Sequence, residues 1–200
     1  HELKTPVFNI QGYVQTLIDG GLNDKNINMK YLKRANKSID RMINIIQDLE
    51  TITSLESDIT KLEFKKINLK KLVKDVFEQL ELKAKEKNIK LSYLQNSDFK
   101  YVYADRNKIF QVFVNLISNS IRYGKNGGVT KVVVQSDNKH MLVNVIDDGL
   151  GIKEKYLNRL FERFYRVDKN RSREQGGTGL GLAIVKHIIE AHNSKISVSS

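Results

Sequence analysis

Two heptad seams separated by a glycine break constrain the fold of this chain more than any other feature. The first seam consists of Leu3, Val7, Ile10, Val14 and Leu17. The second consists of Leu32, Ala35, Ile39, Met42, Ile46 and Leu49. Spacings that alternate between three and four residues are typical of helices that pack along a narrow apolar stripe. Gly20-Gly21 and Asn23-Asp24 interrupt the pattern, so residues 1–60 are predicted to form a helical hairpin.

The hairpin cannot bury both seams by itself, because each helix presents only one narrow apolar stripe. A second copy of the hairpin supplies the missing surface most simply, as a four-helix bundle. We therefore expect a homodimer that forms through residues 1–60.

Residues 61–200 show alternating strand and helix patterns. Strands are predicted at 64–67, 89–94, 101–104, 129–135, 141–146 and, last, Lys195 to Val198. Helices are predicted from Leu69 to Lys87, from a cap at Asp105 to Gly124, and from near Gly179 onward. This order predicts an α/β sandwich with helices on one face of a mixed sheet. The heptad is lost between Leu55 and Lys66, which places the interdomain hinge there.

Composition excludes several classes of protein. The 200 residues are 40% hydrophobic, which is enough for a buried core, and they include no cysteine, so disulfides and cysteine metal sites are excluded. No apolar run approaches the length that spans a bilayer. The formal net charge of +11 invites a nucleic-acid role, but the basic residues are not interleaved with aromatic residues along a groove, so we expect no nucleic-acid partner.

Four polar clusters between residues 115 and 181 carry the candidate chemistry. Asn115 and Asn119 share one face of a predicted helix. The run 147–151 (DDGLG) turns sharply after a strand, and the run 161–166 (FERFYR) follows it. The run 176–181 (GGTGLG) opens a helix, whose N-terminus suits phosphate. Taken singly, these clusters also fit solvated asparagines, a plain turn and a glycine-rich loop of neither dinucleotide-binding nor Walker spacing.

In this order the four clusters resemble the N, G1, F and G2 boxes of the sensor histidine kinases of two-component systems. The resemblance implies their ATP-binding domain, whose Bergerat (GHKL) fold is shared with gyrase, mismatch-repair and heat-shock chaperone ATPases. Those ATP-hydrolysing machines are the alternative. The opening run 1–6 (HELKTP) resembles the kinases' phosphoacceptor H box and favours the kinases. A non-catalytic dimerisation and docking module is a further alternative.

The resemblance implies ATP and Mg²⁺ as ligands and gives a role to each matching residue. Asp147 would accept a hydrogen bond from the adenine amino group. Asn119, supported by Asn115, would bind Mg²⁺. The residues expected at the nucleotide are Asn115, Asn119, Arg122, Tyr123, Asp147, Gly149, Gly151, Tyr165, Arg166, Gly177, Thr178, Gly179, Leu180 and Gly181. Among them Arg122, Tyr123, Tyr165 and Arg166 would meet the phosphates. The polar stretch between Gly151 and Gly177 would be a lid.

The resemblance also implies an acceptor site at the start of the chain. His1 would attack the γ-phosphorus, and Glu2 would accept the proton on the other ring nitrogen. The phosphoryl group would then pass to an aspartate of a response regulator receiver domain. Helix phase places His1 and Thr5 on one solvent-facing side, so Thr5 is either a phosphatase residue acting on that receiver or an ordinary first-turn residue. Pro6 is predicted to bend the helix.

Members of this family have more helix before the acceptor and a further strand after the position of Ser200. We therefore expect a piece of a longer protein, truncated at both ends: the cytoplasmic part of a sensor anchored in the inner membrane. Within it, residues 1–60 are expected to form the dimerisation and phosphotransfer domain and residues 61–200 the catalytic domain.

Overall fold

The computed structural model describes residues 2–56, 62–96, 100–136, 140–167 and 177–200. The expected acceptor His1, the predicted boundary between residues 60 and 61, and the part of the lid that includes Gly176 lie outside the described residues. The helices are α1 (Lys4–Ile18), α2 (Asn28–Glu56), α3 (Leu69–Glu86), α4 (Arg106–Tyr123), α5 (Glu154–Leu157) and α6 (Gly181–Ala191). The strands are β1 (Phe64–Asn68), β2 (Lys90–Asn96), β3 (Tyr101–Asp105), β4 (Val129–Ser136) and β5 (Met141–Asp147).

Helices α1 and α2 form the predicted hairpin. A short 3₁₀ turn, Gly21–Asn23, joins them after Gly20, which adopts a left-handed conformation with φ of +114°. In the single chain several seam residues are exposed, among them Val7 at 46% and Ile39 at 38%. Exposed apolar residues along such a seam are what a partner hairpin would cover.

In the structure α1 begins at Lys4, and the bend predicted at Pro6 stays a prediction. Pro6 therefore lies in the first turn, where backbone N–H groups have no intrahelical acceptor and a missing donor costs nothing. Among the described residues, no helix is both long enough and apolar enough to cross a membrane.

The strands form a three-stranded mixed sheet, as predicted, and a separate two-stranded sheet that the prediction did not distinguish. Strands β1 and β3 pair antiparallel, while β4 lies between β2, its parallel neighbour, and β5, its antiparallel neighbour. Helices α3 and α4 bury their apolar faces on these strands. The fully buried members of this core are Leu72, Val73, Val76, Ile117, Val132 and Val134.

The strand predicted from Lys195 to Val198 is absent from the structure, and the predicted helix before it begins at Gly181 rather than Gly179. The segment is held by side-chain contacts instead. Ile196 packs against the apolar cluster around α6, and Ser200 Oγ accepts a hydrogen bond from the Ile152 N–H at 2.7 Å. A segment with alternating apolar residues can bury them by packing against a helix, without forming a strand. The prediction of a strand from alternation alone was therefore wrong.

Helix α2 has a second apolar face that the seam analysis missed. Ile45 and Ile52 are fully buried against Leu180, Ile184 and Ile188, at the start and along the length of α6. Burying two isoleucine side chains stabilises the contact by about 3 to 6 kcal/mol. The hairpin and the α/β part of the chain therefore share one apolar core.

Asp105 connects three elements at the start of α4. Its Oδ1 caps the helix by accepting hydrogen bonds from the Asn107 and Lys108 N–H groups, and its Oδ2 accepts from the Glu63 N–H at 3.0 Å. Its own N–H donates to His192 Nε2 at 3.0 Å. Burial raises the pKa of this carboxyl, but the three N–H donors and His192 outweigh burial, so its pKa lies below the usual value. The predicted cap is thus confirmed and extended.

Asp105→Ala should lower the free energy of unfolding by about 2 kcal/mol, the sum of a lost cap and a lost backbone contact. Because folding lowers the Asp105 pKa, its contribution is present above the unfolded-state pKa and is lost as pH falls through the folded-state pKa. Asp105→Asn should retain the cap and remove this pH dependence. Denaturant titrations at pH 7 and pH 3 measure both effects.

Asn68→Ala is the matched control, since Asn68 caps α3 through a single hydrogen bond from the Lys71 N–H. It should cost about 1 kcal/mol at both pH values. Equal losses for the two alanine variants would contradict the bridging role of Asp105.

Candidate nucleotide and phosphoacceptor site

Asn115 on α4 has a donor that its surroundings leave unsatisfied. Its Nδ2 atom is buried and has no hydrogen-bond partner within the described part of the chain. A Cβ atom placed on Gly181 would lie 3.5 Å from Asn115 Oδ1, so the N box and the G2 box adjoin. A buried donor without a partner costs free energy. A phosphate oxygen beside the glycine-rich turn fits this donor, as the predicted site requires.

The two adjacent aspartates of the G1 box have different partners. Asp148 Oδ1 accepts from the Val129 N–H at 3.0 Å and so anchors the loop to the first residue of β4. Asp147 is exposed, and its Oδ1 accepts from the Gly149 N–H at 2.8 Å. A Cβ atom on Gly149 would lie 2.6 Å from Asp147 Oδ1 and 3.1 Å from the Tyr123 carbonyl oxygen, so a side chain there would displace the Asp147 carboxylate. Both carboxylates are exposed, Asp147 bonded within its own turn and Asp148 to the neighbouring strand, so the assignment of Asp147 to the adenine stays a prediction.

Helix α4 spans the candidate site from end to end. Asn115 adjoins Gly181 of the G2 box, while Tyr123 adjoins Gly149 of the G1 box. Their separation of eight positions corresponds to about 12 Å along a helix. Asn119 lies midway on the same helix face as Asn115. The helix thus separates the predicted base end of the site from its predicted phosphate end.

The F and G2 boxes are joined by their backbones. The Phe164 N–H donates to the Gly179 carbonyl oxygen at 2.9 Å. Phe164 itself has a positive φ of +61°, a conformation that is strained for a bulky residue. Gly179 has a φ of +77°, and a Cβ atom there would lie 3.0 Å from backbone atoms of Phe164. Only glycine allows this approach, so the two boxes act as one structural unit.

Arg166 of the F box contacts Glu2 of the H box in the same chain. The Arg166 guanidinium lies 3.2 Å from Glu2 Oε2, and Arg41 of α2 lies 3.3 Å from the same oxygen. The Arg166 side chain is only 5% exposed. A buried charge of this kind depends on its partners. Thr5, expected to face solvent, is half-buried.

A second polar contact ties the G2 box to α2. Thr178 Oγ1 donates to Asp48 Oδ2 at 2.8 Å and accepts from the Leu180 N–H at 3.2 Å. Burial raises the pKa of Asp48, and the hydrogen bond from Thr178 opposes that rise. The Thr178 hydroxyl therefore links α2 to the backbone at the start of α6 through two hydrogen bonds.

A third polar contact lies at the end of α2. The Glu56 carboxylate binds the Arg163 guanidinium of the F box and lies 3.6 Å from His187 Nε2 on α6. Burial, and then the nearby charge of Arg163, lower the pKa of His187 below its ordinary value. His187 is therefore neutral at pH 7.

The predicted phosphate ligands other than Arg166 are Tyr165 of the F box and Arg122 and Tyr123 at the end of α4. Tyr165 is covered by the Arg159 guanidinium, which lies 4.4 Å from its ring centroid. Arg122 and Tyr123 end α4, where Lys87 Nζ donates to the carbonyl oxygens of Ile121 at 3.0 Å and of Arg122 at 2.5 Å. Tyr123 thus lies beside the Asp147 turn, whereas Arg166 lies at the H box.

Sequence reasoning missed the polar residues that α2 contributes. Arg41, Asp48 and Glu56 lie on the same helix face as Ile45 and Ile52, at successive spacings of four, three, four and four residues. This second stripe was available in the sequence as a mixed polar and apolar pattern. It was missed because a search for apolar heptads discards charged residues.

Family comparisons decide between the two enzyme classes. Residues 104–200 match the model described as histidine kinase-, DNA gyrase B- and HSP90-like ATPase, which includes both. Residues 1–58 match the His Kinase A (phospho-acceptor) domain, which only the kinases need. The chain belongs to the sensor histidine kinases of two-component systems. The predicted fold class, a helical hairpin of the bundle-forming type followed by an α/β ATP-binding sandwich, is confirmed.

Individual relatives agree with this assignment. The sensor histidine kinase WalK of Bacillus subtilis is 34% identical over 203 residues, which cover 100% of this chain and 33% of WalK. The structure of histidine kinase AdeS of Acinetobacter baumannii matches with a TM-score of 0.78 and 28% identity, over 96% of this chain and 86% of that chain. Histidine kinase ThkA in complex with response regulator TrrA matches with a TM-score of 0.71 and 27% identity, over 97% and 53% of the two chains. The chain thus spans about a third of the length of its curated relative WalK.

Asp48→Ala and Thr178→Val should each lower the free energy of unfolding by about 1 to 2 kcal/mol, because each removes one side of a half-buried hydrogen bond to a charged group. The double variant should lose little more than the worse single variant. A coupling energy of about 1 kcal/mol in this double-mutant cycle is expected for residues in contact.

Asp40→Ala is the control on the same helix, because Asp40 is exposed and accepts a hydrogen bond from Asn36 of α2 itself. Its effect should add to that of Thr178→Val without coupling. Full additivity for the Asp48 pair would show that the hydrogen bond contributes nothing.

Proposed function

We propose that this chain is the catalytic part of a sensor histidine kinase that transfers the γ-phosphoryl group of ATP to His1. The observation that carries the proposal is the contact of Arg166 with Glu2. It places an F-box arginine beside the carboxylate that directly follows the acceptor residue. Arginine matches phosphate oxygens through its planar fork of donors. Nucleotide-binding and acceptor elements therefore meet at one place.

The nucleotide fits along α4. Asp147 would accept a hydrogen bond from the adenine amino group, and the phosphates would lie at the glycine-rich turn before α6. The Asn115 donor and the backbone N–H groups of that turn would bind phosphate oxygens. Asn119 would hold Mg²⁺ through its amide oxygen, with Asn115 in support. When bound, this cation neutralises phosphate charge as the leaving group departs.

The acceptor chemistry needs a neutral imidazole and a fixed carboxylate. A His1 ring nitrogen forms a bond to the γ-phosphorus, and the bond from that phosphorus to the bridging oxygen breaks, with its electron pair leaving on ADP. Glu2 accepts the proton on the other ring nitrogen and so stabilises the developing positive charge. Arg41 and Arg166 hold this carboxylate from two sides, which keeps it oriented for the task.

The residues of this site fit the ATP-hydrolysing machines that share this fold less well than they fit the kinases. Those machines need a catalytic glutamate where this chain has Asn115, and they make no use of an H box. A docking module without catalysis would have no need for an unsatisfied buried donor beside the glycine-rich turn. The intact N and G2 boxes therefore favour phosphoryl transfer.

The partners and location follow from the same proposal. A homodimer would cover the exposed seam of the hairpin, and the phosphoryl group would pass to an aspartate of a response regulator receiver domain. The complex of ThkA with TrrA supports a partner of that kind. Thr5 would act on the phosphorylated receiver as a phosphatase residue. The whole protein would be a membrane-anchored sensor with this part in the cytoplasm.

His1→Gln should abolish labelling by γ-labelled ATP while leaving the Kd for ATP unchanged, because the imidazole does not bind resting nucleotide. Label on the parent chain should be acid-labile and alkali-stable, as phosphohistidine is. Retention of label by His1→Gln would assign the acceptor to another residue, and acid-stable label would exclude a phosphohistidine.

Asn119→Ala should weaken the binding of Mg·ATP by about tenfold or more, in the range found when metal-site groups are removed. Binding of ATP measured in excess chelator should change little. Asn107→Ala is the matched control, an exposed asparagine in the first turn of the same helix. If Asn119→Ala and Asn107→Ala bind Mg·ATP alike, the metal is held elsewhere.

A further inference from the structure

The C-terminal end of α4 is capped by a side chain that comes from outside that helix. Gly124, the residue after α4, is extended, with φ of −61° and ψ of 158°, and its N–H donates to the Ser120 carbonyl oxygen at 2.7 Å. A left-handed residue at this position would bring the next N–H groups back to the last helical carbonyls, whereas an extended residue directs the chain away from them. Lys87, which follows α3, supplies the donor instead. Its Nζ donates to the carbonyl oxygens of Ile121 at 3.0 Å and of Arg122 at 2.5 Å.

The backbone around Lys87 also holds the segment that leads from α4 to β4. The Lys87 carbonyl oxygen accepts a hydrogen bond from the Gly127 N–H at 2.9 Å, and the Lys90 N–H donates to the Gly128 carbonyl oxygen at 2.9 Å. A cation at the carbonyl end of a helix is in addition favoured by the helix dipole. The side chain and the backbone of Lys87 thus hold the end of α4 and the start of β4 in one relative position.

The turn that carries Asp147 lies against the end of α4. A Cβ atom on Gly149 would lie 3.1 Å from the carbonyl oxygen of Tyr123, the last residue of α4. The Gly149 N–H donates to Asp147 Oδ1 at 2.8 Å. Tyr123 directly follows Arg122, whose carbonyl oxygen binds the Lys87 ammonium. A displacement of the last turn of α4 would therefore move the backbone that orients the Asp147 carboxylate.

We propose that Lys87 is a positioning residue for the purine base. By capping α4, it holds the turn where the Asp147 carboxylate accepts a hydrogen bond from a 6-amino group. The inference rests on the ATP-binding function proposed above. Lys87 acts on the base through Tyr123 and Gly149, not by contact. A 6-amino purine donates to a carboxylate, whereas a 6-oxo purine presents an acceptor to it, so the position of the carboxylate sets the preference between the two.

Binding of ATP and of inosine triphosphate tests the proposal, because inosine triphosphate carries an oxygen in place of the 6-amino group. Lys87→Met keeps the length of the side chain and removes its charge and its donors. It should raise the Kd for ATP about tenfold, on the order of one lost hydrogen bond to a charged group. The Kd for inosine triphosphate should stay within about twofold of the parent value. An unchanged preference for ATP overturns the proposal, as does equal weakening of both nucleotides, which is a general loss of the site.

Conservative and matched variants distinguish the cap from a general effect of removing a lysine. Lys87→Arg retains the charge and the donors and should keep most of the preference for ATP. Lys83→Met removes an exposed lysine from the last turn of α3 and should leave the Kd values of both nucleotides unchanged. If Lys87→Met does not fold, as judged by circular dichroism, Lys87→Gln takes its place, with the same expected loss of preference. A Lys87→Arg variant as unselective as Lys87→Met overturns the proposal.

A double-mutant cycle tests whether Lys87 acts through Asp147. Asp147→Ala should abolish the preference for ATP, and adding Lys87→Met to it should change the ratio of the two Kd values no further. A further loss of preference in the double variant overturns action through Asp147. A parent chain that does not bind ATP refutes the proposed function itself. A parent chain that prefers ATP, together with a Lys87→Met variant that prefers it equally, refutes only the role of Lys87.

Discussion

The packing of α2 against α6 is the contact on which the rest of the structure depends. Ile45 and Ile52 are buried beside Leu180 and Ile184, and Val112 of α4 joins the same cluster. Because α6 begins in the G2 box, burying α6 also fixes the glycine-rich turn. Because Val112 precedes Asn115 by one helical turn, the same cluster positions the N box. Docking of the hairpin and formation of the nucleotide site therefore depend on the same apolar core.

Polar contacts give this apolar core its register. Burial of apolar surface is not directional and would tolerate small displacements of one helix along the other. Asp48 with Thr178 and Glu2 with Arg166 are directional, and one member of each pair is buried enough that losing its partner is costly. They select one docking position. Any ligand that alters the glycine-rich turn must then alter docking on α2, and docking must alter affinity for that ligand by the same factor.

Helix α2 serves two surfaces at once. One stripe, represented by Leu32 and Ile39, is exposed in the single chain and suits the hairpin of a second copy. The other, represented by Ile45 and Ile52, is buried against the ATP-binding part. A rotation of α2 would change both surfaces together. This arrangement offers a physical route by which motion in the bundle reaches the nucleotide site.

The local patterns of the sequence determined most of the fold and the family. Heptad spacing predicted both hairpin helices, the Asp105 cap and Gly124 bounded α4, and the order of the four boxes with the H box indicated a histidine kinase. These features depend on neighbours within a few residues, so they can be seen in one chain. The last strand failed because Ile196 is buried by packing on α6, a contact that local alternation does not encode.

Only the tertiary structure decided how the parts meet. Glu2 and Arg166 lie 164 residues apart, and Asp48 and Thr178 lie 130 apart. No local sequence pattern specifies such pairs, because in the sequence each of these residues is indistinguishable from an ordinary surface residue. Likewise, only the structure shows that Asp147 is bonded within its own turn, by the Gly149 N–H, while Asp148 is bonded to Val129 of the neighbouring strand. The sequence supplied the chemical groups of the site, whereas burial of α2 on α6 determined which of them come into contact.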